Sequence, residues 1–424
     1  MDFYFPDSQD QINPGFDFET EEHSPFHVRQ RDDRYAHELH DPPPYSGILV
    51  SKTMVDGFGS GGRYTSAQRH RLYRLGVRQF FRLPDDLKAL GDCGAFSYVG
   101  HPEPPITVEE VVDFYGQCGF DAGISVDHVI LDYCREADDT PSMVQADWQR
   151  RQELTLELAE RFLEVRDERG FDFEPVGAAQ GWSPQSYARS VKALQELGYR
   201  RIALGGMVPL RTPQIFECLR AVDAIRNPDV ALHLLGVTRA EHANDFAKYG
   251  VTSFDSTSPF RQAFKDDKDN YYTAKRKFVG LRVPPSEGNA KLRGRIQAGQ
   301  LDQREVRTAE RAALDALRAY DADSTTSYEP ALKALETYEL LHDPLRAGKR
   351  TERYREMLDR APWKDCPCAI CQKWGVEVAI FRGTERNKRR GFHNVWVFNQ
   401  TLQGHLASAG HGGKTEEMLS GPAV

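Results

Sequence analysis

Residues 173–206 read FEPVGAAQGWSPQSYARSVKALQELGYRRIALGG, and this stretch decides the fold. Apolar runs at 173–179 and 201–206 flank a segment, 184–197, whose apolar residues recur at helical spacing. The helical segment opens with Ser-Pro, and proline suits the first turn of a helix because no backbone N–H is needed there. Two strands joined through a helix of this length form a parallel β-α-β unit.

The same alternation of apolar runs and amphipathic segments extends to both sides of this unit. Further strands are expected at 47–51, 79–82, 122–129, 231–237 and 252–255, and further helices at 108–117, 146–167, 213–225 and 239–249. No Gly-x-Gly-x-x-Gly turn opens the first unit, which argues against a dinucleotide-binding sheet. Polar or glycine residues follow many of the strands, as they do around the mouth of a (β/α)8 barrel. Residues 46–300 are therefore predicted to form a TIM barrel of the α/β class.

The remaining segments differ from the barrel in composition. Residues 1–45 are acidic, aromatic and interrupted by proline, and they are expected to form an N-terminal arm. Residues 301–402 are expected to form a C-terminal helical and zinc-binding subdomain, with helices at 301–320, 329–341, 351–358 and 391–402. Residues 403–424, rich in Gly, Ala and Ser, are predicted to be disordered.

Composition and length narrow the class of protein. The chain has 424 residues, of which 40% are hydrophobic and 28% charged, as in a globular protein larger than one compact domain. It shows no run of about 18 apolar residues and no basic segment ahead of an apolar one at its start, so neither a membrane span nor a secretory leader is expected. An odd number of cysteines, 7, favours a reducing compartment, and a cytoplasmic location is predicted.

Three cysteines and a histidine form a cluster near the C-terminus, at Cys366, Cys368, Cys371 and His393. Thiolates and an imidazole are the ligands that tetrahedral Zn²⁺ prefers, and four protein ligands leave no open position for chemistry. The alternative is three reduced cysteines in a loop beside an unrelated histidine. Because Pro367 and polar flanks make this segment a poor buried strand, a structural zinc ion is predicted.

Two carboxylates are candidates for catalysis. Asp255 ends an apolar run, and Asp92 lies in a Gly-Asp-Cys-Gly turn whose small residues allow a substrate to approach the backbone. Two aspartates across a barrel mouth suit glycosidic chemistry, in which one is the nucleophile at the anomeric carbon and the other moves protons. Each also has a structural interpretation, Asp92 as a turn residue and Asp255 as a helix N-cap.

Other residues near predicted strand ends suit the recognition of a purine base. Asp132 can accept two hydrogen bonds from an edge such as guanine N1–H and its 2-amino group, and Gln180 can read the carbonyl. A base-binding site also needs groups that pack on the two faces of the ring. Tyrosine and methionine side chains can do this, although they more often belong to the core. The residues expected near the ring faces are Gly205, Gly206, Met207, Tyr98 and Tyr133.

Basic residues are concentrated in two places on a chain whose net charge is −8. Each group is either a solvated surface or a local track for phosphates. The residues expected to contact nucleic acid include Lys275, Arg276, Lys277, Arg386, Lys388, Arg389 and Arg390.

Together these motifs resemble the tRNA-guanine transglycosylase superfamily, whose members have a (β/α)8 barrel and a zinc subdomain. The matching pieces run in family order and are Asp92-Cys-Gly-Ala-Phe96, Leu131-Asp-Tyr-Cys134, Ala179-Gln-Gly181, Leu204-Gly-Gly206, Ser253-Phe-Asp-Ser256 and the Cys366-to-His393 cluster. The resemblance implies that Asp255 displaces guanine from C1′ as a covalent nucleophile. It also implies that Asp92 is the general acid/base at N9, and that Asp132, Gln180 and Gly206 bind the base.

Departures from the usual tRNA enzymes point to one branch of the superfamily. Those enzymes carry Asp-Ser-Gly-Gly-Phe-Gln where this chain has DCGAFS at 92–97. Their Pro-Thr-Arg-Asn-Ala-Arg-like turn is replaced by SPFRQAF at 258–264, which retains Arg261 as a candidate contact to nucleic acid. Segments 3–8 and 28–33 resemble the branch that acts on DNA, the DNA 7-deazaguanine transglycosylases.

This resemblance implies an enzyme that exchanges guanine in DNA for a free 7-deazaguanine base, with 7-cyano-7-deazaguanine (preQ0) the first choice. An ATPase-like partner protein is expected, and a homodimer is left open. The alternatives are a tRNA-guanine transglycosylase of the queuosine type and a catalytically silent subunit that binds nucleic acid. A general glycoside hydrolase is disfavoured, because the zinc cluster and the base-reading residues would then have no role.

Overall fold

Eight parallel strands close into a barrel in the computed structural model, which describes residues 1–57, 63–323, 325 and 327–412. Each strand pairs with the next in chain order, and the last pairs with the first. The strands are β1 Asp2–Pro6, β2 Gly47–Ser51, β3 Lys88–Asp92, β4 Ala122–Ile124, β5 Glu174–Ala179, β6 Arg201–Leu204, β7 Ala231–Leu234 and β8 Val251–Asp255. The predicted TIM barrel is confirmed.

Helices follow most strands of the barrel, and their ends carry the expected signals. They are α1 Lys52–Asp56, α2 Ser66–Phe81, α3 Val108–Cys118, α4 Ala146–Arg169, α5 Pro184–Leu197, α6 Thr212–Asp223 and α7 Ala243–Ala247. The hydroxyls of Thr107 and Ser183 accept backbone hydrogen bonds at the starts of α3 and α5. Gly119 and Gly198 adopt positive φ where these helices end.

The barrel interior is filled by side chains that the strands direct inward. One buried cluster contains Tyr4, Leu49, Leu90, Ala122, Ile124, Val176, Ala178 and Ala203. Outside the strands, Tyr115 of α3 packs so close to Gly91 and Gly123 that a Cβ on either glycine would lie 2.3 Å from its ring. The barrel is therefore a packed core, and chemistry is confined to its ends.

One predicted strand is a helix in the structure, and two strands of the barrel were not predicted. Residues 79–82, expected as a strand, belong mostly to the last turn of α2, because a short apolar run such as Phe80-Phe81 is compatible with a buried helix face. The unpredicted barrel strands are β1 and β3. Since β1 lies in the barrel, the segment predicted as an arm contributes its aromatic residues Phe3, Tyr4 and Phe5 to the folded core.

The chain divides into two compact units whose bounds differ from those predicted. The first comprises Met1–Gln9, Tyr45–Thr257 and the described residues from 401 onward, and it contains the barrel. The second comprises Asp10–Pro44 and Ser258–Gln400. Within it, the N-terminal segment is held by Glu21, which pairs with Arg382 and Arg386.

The second unit is largely helical. It contains the short strand pairs β9 Tyr271–Tyr272 with β10 Lys277–Phe278, and β11 Leu281–Arg282 with β12 Ile380–Phe381. The helices from residue 258 onward are α8 Ser258–Gln262, α9 Ala290–Gln297, α10 Gln303–Ala322, α11 Glu329–His342, α12 Thr351–Arg360, α13 Pro362–Asp365, α14 Ala369–Trp374 and α15 Gly383–Gly412. Because α15 continues to Gly412, the predicted disorder is wrong for 403–412, and residues 413–424 lie outside the described residues. No described helix is long and apolar enough to cross a membrane.

Candidate active site and metal centre

A cavity of about 220 Å³ opens where the barrel strands end. The carboxyl ends of parallel strands meet at one face of a barrel, so residues distant in sequence converge there. The predicted residues that line this cavity are Asp92, Asp255, Gln180, Gly205 and Gly206. Both predicted catalytic carboxylates therefore lie in the same cavity as three residues expected to contact the base.

Asp255 is the last residue of β8 and is buried at 7% exposure. Its Oδ1 accepts a hydrogen bond from the backbone N–H of Gly236 at 3.0 Å. The same oxygen lies 3.2 Å from Nε2 of His233, which donates to it. Among the described residues, both hydrogen bonds to this carboxylate engage Oδ1, so its orientation is fixed from one side.

Asp92 ends β3 and also faces the cavity. Burial raises its pKa to about 7, and the negative charges of Asp127 and Asp255 add to the increase. Hydrogen bonds from the Gly94 backbone and the Ser51 hydroxyl act in the opposite direction. A carboxyl group with this pKa can both donate and accept a proton near neutral pH.

Asp127 is a third carboxylate of the cavity, and the sequence analysis missed it. It is 3% exposed and accepts hydrogen bonds from Nε2 of Gln180 at 2.5 Å and from the Cys93 thiol at 3.0 Å. Burial raises the pKa of Asp127, whereas these two hydrogen bonds lower it. Burial also raises the pKa of Cys93 well above its ordinary value, so this group remains a thiol that can donate.

The structure does not bring Asp132 to the cavity. Asp132 is exposed, and its Oδ2 accepts a hydrogen bond from Nε1 of Trp148 at 2.9 Å. The predicted strand 122–129 ends at Ile124, so the first carboxylate beyond its end is Asp127. In the sequence, the signal for Asp127 is a single acid inside an apolar run. The early end of the strand explains why this acid reaches the cavity.

The residues expected to stack on the base are also placed differently. Met207 and Tyr98 are fully buried, and neither is among the described residues lining the cavity. The Tyr98 hydroxyl donates to the backbone carbonyl of Asp127 at 3.0 Å, so this side chain holds the backbone of the residue that carries the carboxylate. Tyr133 donates to Glu217 at 2.9 Å.

The predicted contacts on α15 are paired within the protein, and all but the partly exposed Lys388 are buried, contrary to the prediction that they contact nucleic acid. Arg390, at 0% exposure, donates to the backbone carbonyls of Val378, Ile380 and Ala263. The other predicted contacts on α15 have protein partners too: Arg386 pairs with Glu21 and Glu377, Arg389 pairs with Glu385, and Lys388 donates to the Gln11 carbonyl. These cations therefore stabilise the second unit through ion pairs and hydrogen bonds.

The other predicted basic contacts lie on the surface. Arg261, Lys275, Arg276 and Lys277 are exposed, the last two around the turn between β9 and β10. Arg276 pairs with Glu356 and lies over the Phe278 ring. Their contact with nucleic acid remains a prediction.

The Cys366, Cys368, Cys371 and His393 side chains converge on one point. Their ligand atoms all lie within 4.8 Å of one another, and the three sulfurs are 3.3–3.6 Å from Nδ1 of His393. Nε2 of His393 is 2.8 Å from the Tyr272 carbonyl, to which it donates, leaving Nδ1 to bind a metal. This buried set of three sulfurs and one nitrogen can hold a metal ion.

Comparison with known proteins agrees with this geometry. The family model described as queuine tRNA-ribosyltransferase matches residues 63–403. The chain belongs to this family. A DNA-guanine transglycosylase of Salmonella montevideo is 46% identical over 406 residues, covering 95% of this chain and 97% of that protein. A queuine tRNA-ribosyltransferase of Stenotrophomonas maltophilia K279a is 30% identical over 227 residues, covering 53% of this chain and 52% of its own.

Family membership confirms the resemblance drawn from the motifs. It makes this chain a glycosyltransferase of the transglycosylase type. The cavity contains two carboxylates, Asp92 and Asp255, which is the kind of pair that many enzymes acting on glycosidic bonds use.

Proposed function

We propose that the protein exchanges guanine in DNA for a free 7-deazaguanine base, with preQ0 as the incoming base, through a covalent glycosyl-aspartate. The observation that carries the proposal is the meeting of Asp255, Asp92 and Asp127 in one small cavity. The choice of DNA is supported by the 46% identity to a protein named DNA-guanine transglycosylase, which extends over nearly the whole of both chains.

Base recognition falls to Asp127 in place of Asp132. Its carboxylate is oriented by Gln180 and Cys93 and is suited to accept from the N1–H and 2-amino groups of guanine. A 7-deazaguanine presents the same donor edge, so the leaving base and the incoming base can use one site in turn. Gly205, which also lines the cavity, leaves room for the Gln180 side chain, since a Cβ there would lie 2.0 Å from Nε2 of Gln180.

The first half of the exchange breaks the bond between C1′ and N9. An oxygen of Asp255 attacks C1′, and the electron pair of the broken bond stays on guanine N9. Asp92, whose pKa is about 7, supplies a proton to the departing base. The products are free guanine and a glycosyl ester of Asp255.

The second half reverses these steps with the new base. The carboxylate of Asp92 takes the N9 proton of the incoming 7-deazaguanine, and N9 attacks C1′. The ester bond then breaks, and Asp255 leaves as a carboxylate. No proton or electron is gained or lost overall, so exchange needs no co-reactant.

The cysteine–histidine cluster fits a structural zinc ion. Three thiolates and an imidazole complete a tetrahedral shell, and such a site supplies folding energy and no open position for a substrate. The ligands would join the segment before α14 to α15 through His393.

Access to the target base sets the expected partner. Duplex DNA hides the glycosidic bond, so guanine must be flipped out or presented on melted DNA. The net charge of −8 and the buried cations of α15 provide little general attraction for a duplex. We therefore propose an ATPase-like partner that opens DNA, while a homodimer and a cytoplasmic location remain predictions.

The test is base exchange with labelled preQ0 and one of three acceptors: duplex DNA, single-stranded DNA or total tRNA. Label should enter DNA in the wild type and should not enter with Asp255→Asn, which keeps the size of the side chain but removes the nucleophile. Label in tRNA alone would make the protein a divergent queuosine-type enzyme. DNA binding without label or covalent adduct on any acceptor would support the silent-subunit alternative.

A further inference from the structure

A line of polar side chains runs through the barrel interior and ends at Asp255. Glu174 pairs with Arg201 at 3.1 Å, and Arg201 donates to the Ser253 hydroxyl at 3.1 Å. The Ser253 oxygen lies 2.9 Å from Nδ1 of His233, whose Nε2 is 3.2 Å from Asp255 Oδ1. Ser253 and His233 are 1% and 0% exposed, so no solvent competes for these hydrogen bonds.

The order of donors fixes the tautomer of His233. A carboxylate only accepts, so the hydrogen bond to Asp255 places the proton of the neutral ring on Nε2, and the Ser253 hydroxyl, which accepts from Arg201, donates to Nδ1. Nδ1 therefore accepts, and the ring proton sits on Nε2, from which it is donated to Asp255. Burial lowers the pKa of His233, which keeps the ring neutral in this arrangement.

We propose that His233 is a positioning residue whose Nε2–H, with the Gly236 N–H, holds Oδ1 of Asp255 and promotes departure of Asp255 from C1′. This inference rests on the proposed function. In the ester, Oδ1 is the carbonyl oxygen; when the ester bond breaks, negative charge returns to the carboxylate and spreads onto Oδ1. Two N–H donors already aimed at that atom stabilise the charge as it develops.

The same donors act unequally on the two halves of the exchange. In the first half they stabilise the attacking carboxylate before it loses charge, which does not favour attack. In the second half they stabilise the leaving carboxylate, which speeds breakdown of the ester. Loss of His233 should therefore lengthen the life of the covalent adduct, whereas a purely structural defect would reduce adduct and product together.

The hydrogen bonds themselves can be tested without any nucleic acid. We expect ¹⁵N spectra of the full-length, histidine-labelled protein to show His233 neutral and protonated on Nε2 near neutral pH, with assignment by loss of the signal in His233→Gln. Asp255→Ala should shift the Nε2 signal. A proton on Nδ1, or no response to Asp255→Ala, would overturn the proposal.

The kinetic role is tested with an end-labelled, guanine-containing single-stranded oligodeoxynucleotide. We expect His233→Phe to slow breakdown of the isolated adduct by preQ0 about tenfold, the effect of one lost hydrogen bond to a charged group. His233→Gln, which keeps an N–H donor at similar reach, should restore most of the rate. Equal rates for the two variants, or parallel loss of adduct formation and breakdown, would contradict the proposal. If wild type forms no adduct at all, the proposed function fails, and the spectra still decide whether His233 holds Asp255.

Discussion

At the scale of single residues, the cavity separates three aspartates by environment. Asp255 is held by two N–H donors, whereas loss of contact with water raises the pKa values of the Asp92 and Asp127 carboxyl groups. Three ionised carboxylates in one small cavity repel one another. This repulsion favours a proton on Asp92, where it can be transferred to a base. The proposed nucleophile, proton carrier and base-binding group thereby differ in their surroundings.

Asp127→Asn should lower exchange at least a hundredfold and raise the KM for preQ0, because an amide offers one acceptor where the base presents two donors. Asp132→Asn is the matched control and should stay within about threefold of wild type, since Asp132 is exposed and bonds Trp148. Initial rates of label incorporation measure both. A severe loss in Asp132→Asn with an active Asp127→Asn would reverse the assignment.

The proposed role of Asp92 predicts a defined pH dependence of exchange. Adduct formation needs its protonated form, so the single-turnover rate should fall as pH rises above about 7, while adduct breakdown by preQ0 should fall below that value. Asp92→Asn should be slow in both halves and lose this dependence. An unchanged pH profile in Asp92→Asn would move the proton-transfer role to another group.

The stability of Asp92→Asn provides the control for folding. Because the pKa of Asp92 is raised from 3.8 to about 7, the unfolded chain binds fewer protons across this window and wild-type stability falls as pH rises through it. Above pH 7 the variant should therefore gain stability relative to wild type, and this gain should shrink towards pH 4. Denaturant unfolding at several pH values measures this.

At the scale of secondary-structure elements, the sequence predicted helices correctly where several local signals coincided. The helix Pro184–Leu197 and the helical segments at 108–117 and 146–167 agree with the structure, because apolar spacing and a terminal glycine coincide in all three, and the hydroxyls of Thr107 and Ser183 cap the segments 108–117 and 184–197. The apolar run at 79–82 lacked such signals and was assigned to the wrong element. The strand β3 was not predicted, because it begins and ends with a charged residue and therefore does not form an apolar run.

The metal site belongs to this scale, since it joins the start of α14 to α15. Cys368→Ser should reduce bound zinc from about one ion per chain and lower Tm, because a structural site contributes folding energy directly. Cys134→Ser, outside the cluster and partly exposed, is the matched control and should change neither quantity. Elemental analysis and thermal unfolding measure the outcome, and full zinc content in Cys368→Ser would refute the ligand set.

At the scale of the whole molecule, the question is which cations are available to nucleic acid. Sequence alone gives the same chemical character to the basic residues near Lys275 and to those near Arg390. The structure separates them, because the first group is exposed and the second is buried against carboxylates and backbone carbonyls. An arginine without water must donate its protons to the protein.

Replacing Lys275, Arg276 and Lys277 together by Gln should weaken DNA binding and reduce the slope of log affinity against log salt by about two, without lowering Tm. Arg390→Met should do the reverse, lowering Tm because buried carbonyls lose their donor, while the salt slope is unchanged. Binding titrations at several salt concentrations, with thermal unfolding, separate the two effects. An unchanged slope in the triple variant would exclude this turn from the DNA contact.

The barrel class, the cluster of three cysteines and a histidine, and the two carboxylates Asp92 and Asp255 could be predicted from the sequence, because each depends on local spacing or on the position of a residue at a strand end. The tertiary structure decided which acid accompanies them. Asp127 and Asp132 lie close in sequence, and only the point at which β4 ends determines which one reaches the cavity. The same holds for the cations of α15 and for His233, since burial and partners distant in sequence set their roles.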